Sequence, residues 1–275
     1  MADETTATGQ GATAPNAEAP DTGVPDTDEL ASGEPEELDE AALEVEPADA
    51  PEDGLYVERD EDTGAVVMEA RFAGGVQEGE TRVYNEEGVL EQTAYFAGGK
   101  LDGVVTTYDA TGEVAAQTHF VQGVMHGELL TFAAGSAVMQ AMYENGKRNG
   151  QTRYFAPNGQ VTGEEWYKGG KLHGEARHFT ENGEPLRKTT YVEGKQEGLR
   201  IDYYPSGAMY EVATFAADLR HGDTERYYEG GEVMVQELYD NGKLLEKHEY
   251  NEDGSERDVE DAKKKKGLRK IFFWV

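Results

Sequence analysis

The sequence predicts an all-β fold, an elongated antiparallel β-meander of about 15 strands built from 24-residue hairpin units. Three observations predict it. First, an aromatic residue recurs every 12 residues along most of the chain: Phe72, Tyr84, Phe96, Tyr108, Phe120, Phe132, then Tyr143, Phe155, Tyr167, Phe179, Tyr191, Tyr203, Phe215, Tyr227 and Tyr239. One step, Phe132 to Tyr143, is 11. Second, turn signals separate the aromatics. One kind is Gly-Gly or Asn-Gly, as at Gly98-Gly99 and Asn145-Gly146; the other includes Asn85-Glu-Glu-Gly88 and Asp109-Ala-Thr-Gly112. Third, the runs between turns are rich in Thr, Tyr, Val and Phe, while glycine recurs too often for a three-turn helix. A stacked repeat imposes such a period; a compact enzyme domain does not.

Residues 1–53 come first. They carry 17 acidic side chains, no Lys or Arg and no aromatic residue. Such a stretch buries too little surface to offset its chain entropy, which predicts a disordered tail. Within it, Glu36 to Glu46 sets Leu38, Ala42 and Val45 at helical spacing between Pro35 and Pro47. Both a transient helix in a solvated tail and a partner-docking helix fit this stripe. The start of the chain shows no basic and apolar leader, and no apolar run approaches the ~20 residues that span a bilayer. The expectation is a cytoplasmic protein.

Residues 54–254 hold the repeats. Each unit reads strand, turn, strand, turn, with about seven residues of strand after each turn. Aromatics 24 apart should line one margin of the sheet and those offset by 12 the other, two ladders supplying much of the apolar area. Alternation such as Glu80-Thr81-Arg82-Val83-Tyr84 leaves one face wet. This region carries most of a net charge of -31, with 39 acids against 19 bases between residues 54 and 262. An acidic sheet repels nucleic acid and attracts a protein with a basic surface.

No chemistry-bearing constellation stands out from the repeat pattern. His126, His173 and His221 share one position with Glu78, Asp102, Asn149 and Glu197, a turn site that accepts any polar group, and they recur too far apart to share an ion. The Gly-Gly-Lys turns lack the Gly-Lys-Ser/Thr and following helix of a phosphate loop. Acid pairs such as Glu164-Glu165 read as solvated surface. With no cysteine, thiolate chemistry is excluded, and no cofactor, metal or catalytic activity is expected.

The clearest units, Tyr143 to Phe155 and Tyr167 to Phe179, follow Tyr-x-x-Gly-Lys-x-x-Gly-x-x-x-x-aromatic. This pattern resembles the MORN repeat, most of all the bacterial variant of YwqK-type antitoxins, over residues 54–254. The resemblance implies a binding or scaffold module, and the antitoxin label implies neutralising a toxin by direct contact. Some copies depart from the pattern. Asp218 replaces the turn glycine, which predicts a distorted turn, and Val76, Val124 and Leu219 replace the lysine.

Residues 255–275 close the chain. Lys263, Lys264, Lys265 and Lys266 lead into an apolar end containing Ile271, Phe272, Phe273 and Trp274. Three readings fit: a capping strand on the last hairpin, an anchor in a partner's groove, or insertion into an anionic membrane interface. Together the features predict a non-enzymatic scaffold or adaptor that binds protein through sheet-face acids and these tail residues. A toxin-neutralising protein and a membrane-associated adaptor are the alternatives.

Overall fold

The computed structural model describes Leu43 and residues 51–257. The expectations for the rest of the N-terminal stretch, including its helical stripe, and for Lys263–Lys266 and Ile271–Trp274, lie outside the described residues. The strands are β1 (Gly54–Arg59), β2 (Val66–Ala73), β3 (Val76–Gln77), β4 (Gly79–Tyr84) and β5 (Leu90–Ala97). Next are β6 (Lys100–Leu101), β7 (Gly103–Tyr108), β8 (Val114–Val121), β9 (Val124–Ala133) and β10 (Ser136–Glu144). Then follow β11 (Lys147–Phe155), β12 (Val161–Lys168), β13 (Lys171–Leu172), β14 (Gly174–Phe179) and β15 (Pro185–Val192). The last are β16 (Lys195–Tyr203), β17 (Met209–Ala216), β18 (Leu219–Tyr227), β19 (Val233–Asp240) and β20 (Lys243–Glu249).

All 20 strands belong to one antiparallel sheet, paired in sequence order as a meander. The count exceeds the expected fifteen or so partly because of bulges. The two-residue strands β3, β6 and β13 are the starts of β4, β7 and β14, cut off by one residue each.

Two turn types alternate, as the sequence requires. At one margin lie two-residue turns with both central residues at positive φ, such as Gly98 (58°) and Gly99 (75°). The turn at Ala217 (49°) and Asp218 (70°) adopts the same conformation. The expected distortion there is absent because aspartate tolerates the left-handed region and gains partners: the Asp218 carboxylate accepts from Gln196 N at 2.7 Å. At the other margin lie longer turns. In Asn85 to Gly88 the Gly88 amide donates to Asn85 O, while the Asn85 side chain accepts from Glu87 N and Val89 N. The single 11-residue step has a local cause. Between β9 and β10 the long turn is replaced by a tight one, with Ala134 (48°) and Gly135 (73°) at its centre.

The turns also decide which aromatics enter the core. Each one except the tight turn at Ala134-Gly135 reverses the odd–even parity of the inward positions. Even residues of β2 point inward (Met68, Ala70, Phe72), then odd residues of β4 (Thr81, Val83), then even residues of β5 (Gln92, Ala94, Phe96). Residues 24 apart therefore share a face, and residues 12 apart fall on opposite faces. Phe72, Phe96, Phe120, Tyr191 and Phe215 are buried, whereas Tyr84, Tyr108, Phe155 and Phe179 are half-buried on the outer face. One aromatic ladder, not two, builds the core.

Beside that ladder runs a row of small side chains joined strand to strand, including Thr81–Ala94, Val105–Thr118–Leu129–Ala141–Thr152 and Ala213–Thr224. Burial of this row and its aromatic neighbours stabilises a sheet too thin for a second layer.

Candidate partner-binding faces

The inner face changes character along the sheet. From β2 to β10 it is uncharged, with Thr and Gln set among apolar side chains. From β11 to β20 it becomes a ladder of buried charges. Glu165, Asp202, Glu211 and Glu237 are each under 8 % exposed on this face. Their partners come mostly from neighbouring strands. Arg187 Nε donates to Asp202 at 2.5 Å and Arg200 Nε at 2.8 Å. Glu211 accepts from Arg220 Nη2 at 2.6 Å and Arg226 Nε at 2.8 Å. Arg226 reaches on to Glu237 at 3.2 Å, and Lys247 lies 3.7 Å from the same carboxylate. Each carboxylate thus meets a base, which a charge at this depth requires.

Glu165 is the deepest, 2 % exposed. It accepts from Tyr167 Oη at 2.8 Å and Tyr154 Oη at 3.1 Å. His178 Nε2 lies 3.5 Å away, without hydrogen-bond geometry. Burial pushes the Glu165 carboxyl up, but His178 and the two tyrosine hydroxyls outweigh it and hold the carboxyl below its ordinary range. Burial and the same carboxylate push the Tyr154 hydroxyl up to about 12, and Tyr167 also rises. Arg148 donates to Tyr167 Oη at 3.0 Å and lies over that ring. The reading of Glu164-Glu165 as solvated surface holds for Glu164 and fails for Glu165. The parity of the strand puts one on each face.

The outer face carries a different row. Cross-strand pairs place Glu80 beside Tyr95, Val104 beside His119, Glu128 beside Met142 and Gln151 beside Trp166. Further along, Glu175 pairs with Thr190, Leu199 with Thr214, and Leu238 lies between Asp223 and Glu246. Tyr95, Met142, Trp166 and Leu199 are 41–51 % exposed. Trp166 borders a shallow depression lined by Gln151, Glu164, His173, Glu175 and Arg177. Six bases (Arg148, Arg187, Arg200, Arg220, Arg226 and Lys247) face the inner ladder, so the acidic excess falls largely on the outer face and the turns.

The repeated histidine position has a structural task. A bulge sets its side chain toward the next turn of the same margin. The Glu78 carboxylate accepts from Gly98 N at 2.8 Å, Glu197 from Ala217 N at 2.9 Å, and His221 Nδ1 from Asn241 N at 3.4 Å. Any polar acceptor serves, which is why Glu, Asp, Asn and His interchange there. Turns are further tied by backbone bonds such as Gly99 N to Gln77 O and Gly123 N to Leu101 O. Among the described residues no group of metal-ligating side chains comes together, and no helix is long and apolar enough to cross a membrane.

Two functional features escaped sequence reasoning. The charge ladder was hidden by the parity rule. Leu43 was passed over in favour of Leu38, Ala42 and Val45, yet it is fully buried with Ala94, Phe96, Leu101, Val105 and Phe120. Glu52 and Asp53, at the end of the stretch expected to be disordered, accept from the Gly75 and Gly74 amides.

Comparison with known proteins identifies MORN repeat variant units at residues 77–97, 101–122, 172–193 and 220–241. Each spans one of the longer turns and the strands on either side of it. No curated protein matches the chain. Among solved structures, a mutant of S. aureus TarM in complex with Fondaparinux, alpha-GlcNAc-glycerol and UDP is similar over 34 % of this chain and 19 % of that one, at 15 % identity and a TM-score of 0.26. A second TarM structure gives 16 % identity over the same shares, with a TM-score of 0.26. A TcdB2-TccC3-TEV structure is similar over 73 % of this chain and 12 % of its own, at 14 % identity and a TM-score of 0.19. The chain thus spans less than a fifth of the length of any of these three.

Proposed function

We propose that the repeat sheet is a non-enzymatic docking module for a protein with a basic surface, engaged through its outer face. The observation that carries this reading is the outer row of half-exposed Tyr95, Met142, Trp166 and Leu199, interleaved with Glu80, Glu128, Glu175 and Asp223. Apolar anchors ringed by acids suit a partner that offers apolar side chains among Lys and Arg. The MORN repeat variant units support a binding role of the repeat type. Nucleic acid does not fit an acidic face.

The acidity also favours a narrower reading, a toxin-neutralising protein whose partner is a basic effector, steered in by charge. The tail residues Lys263–Lys266 and Ile271–Trp274 provide a second anchor, to that partner or to an anionic membrane.

Three forms of the chain, wild type, Trp166→Glu with Met142→Glu, and one ending at Lys266, are used to capture partners from native lysate. A single basic protein recovered by wild type and by the shortened form, and lost by the double variant, supports the outer face. Recovery by the double variant but not by the shortened form refutes it and moves the site to the tail. Growth arrest on expressing the partner alone, relieved by this chain, establishes the toxin-neutralising form.

A further inference from the structure

We infer that the inner face of β3 to β8 is a peptide-docking groove, and that its occupant is the chain's own segment centred on Leu43. This inference concerns the face opposite the proposed outer site and is independent of it.

Leu43 is 0 % exposed and belongs to one cluster with Ala94, Phe96, Leu101, Val105 and Phe120. Its carbonyl accepts from Gln77 Nε2 at 2.9 Å, and that amide also donates to Thr81 Oγ1 at 2.8 Å. An apolar side chain in a pocket and a backbone carbonyl met by a fixed donor are the elements of peptide recognition.

The repeats supply an internal control. Leu101, Leu172 and Leu244 occupy the same place in three units. Leu101 is 5 % exposed, Leu172 is half-buried and Leu244 is 43 % exposed. Along the aromatic ladder, Phe96 and Phe120 are the two least exposed rungs, at 4 % and 2 %. Coverage is concentrated where Leu43 sits. The donor is local too: the matching position in other units is Leu101, Met125, Arg148, Leu172, Gln196, Arg220 or Leu244, so only Gln196 shares its amide.

Chain reach agrees. Glu52 and Asp53 are fixed at the Gly74-Gly75 turn. Seven residues lie between Leu43 and Pro51, which makes eight residue steps along the chain. They extend to at most about 27 Å, while four strands of sheet take about 19 Å.

Two measurements test the inference. The first is hydrogen exchange on the unaltered full chain: amides around residue 43 should exchange at least about tenfold more slowly than those of residues 5–30. Equal exchange overturns the inference, whatever any variant does. The second adds a labelled peptide of residues 36–50 to the wild-type chain and to full-length Leu43→Asp, read by fluorescence anisotropy. The variant, its own segment released, should bind roughly tenfold or more tightly than wild type, where the tethered segment competes. A peptide carrying the same substitution should bind neither. Equal binding of the unaltered peptide to both chains, or none to a folded variant, overturns the inference.

Discussion

Glu164 and Glu165 are chemically identical neighbours with opposite fates. The Glu164 side chain is 25 % exposed and lies 3.5 Å from the half-exposed Arg153. Glu165 is enclosed by Tyr154, Tyr167 and His178. Removing a surface partner changes stability by under ~1 kcal/mol. Removing a buried carboxylate leaves two tyrosine hydroxyls without their acceptor and a cavity beside them, at about 2–4 kcal/mol. Glu165→Ala is therefore expected to lower the urea midpoint well below that of Glu164→Ala, although both remove the same charge. Equal shifts would show that the inner ladder is solvated despite its geometry. No residue type distinguishes the two glutamates in the sequence, since the strand's phase is set by turns on either side. The aromatic period and the turn glycines were legible. Leu43 was not, because an isolated leucine among acids carries no pattern of its own.

At the scale of the element, the glycine that recurs after most of the tight turns, from Gly79 to Gly222, lets a bulge form. Between β8 and β9, Phe120 pairs with Met125 but Thr118 with Leu129, so two residues on one strand answer four on the other. The insertion keeps the inward phase while aiming one polar side chain at the next turn. Gly103 shows what the bulge demands. Its φ is +138°, and a Cβ there would lie 3.1 Å from Tyr95 Cβ. Gly112, in a turn of the other margin, has φ +83° with open space around it. Gly112→Ala suffers only the conformational penalty of a side chain in the left-handed region, about 1–2 kcal/mol. Gly103→Ala adds displacement of Tyr95 from the outer row, for a total of about 2–3 kcal/mol. Thermal unfolding of both variants should preserve that order. The reverse order would mean that the bulge relaxes freely and that Tyr95 is not held by it.

On the scale of the whole molecule, each strand pairs only with its neighbours in the meander and most contacts are between such neighbours, so stability is largely a sum of local terms rather than a property of one core. The two halves therefore respond differently to pH. The uncharged inner face of β2 to β10 contains no buried carboxylate, whereas β11 to β20 depend on Glu165, Asp202, Glu211 and Glu237. For Glu165, Glu175 and Glu249 the folded carboxyl titrates below its ordinary value of about 4.5. Their contribution is complete above that value and is lost as pH falls through the lower, folded one. At the alkaline end, Tyr154 and Tyr227 are pushed up to about 12, and Tyr191 also rises. Their contribution is complete below about 10 and is lost as pH rises through the folded values. Most of these groups lie from β11 onward, so both extremes act on the same half. Hydrogen exchange at successive acid pH values should show β12 to β20 losing protection while β4 to β9 retain theirs. Tyrosinate absorbance should rise cooperatively in alkali as that half opens. Uniform loss of protection along the sheet would mean that the strands unfold as one unit, and that nearest-neighbour additivity does not govern this protein.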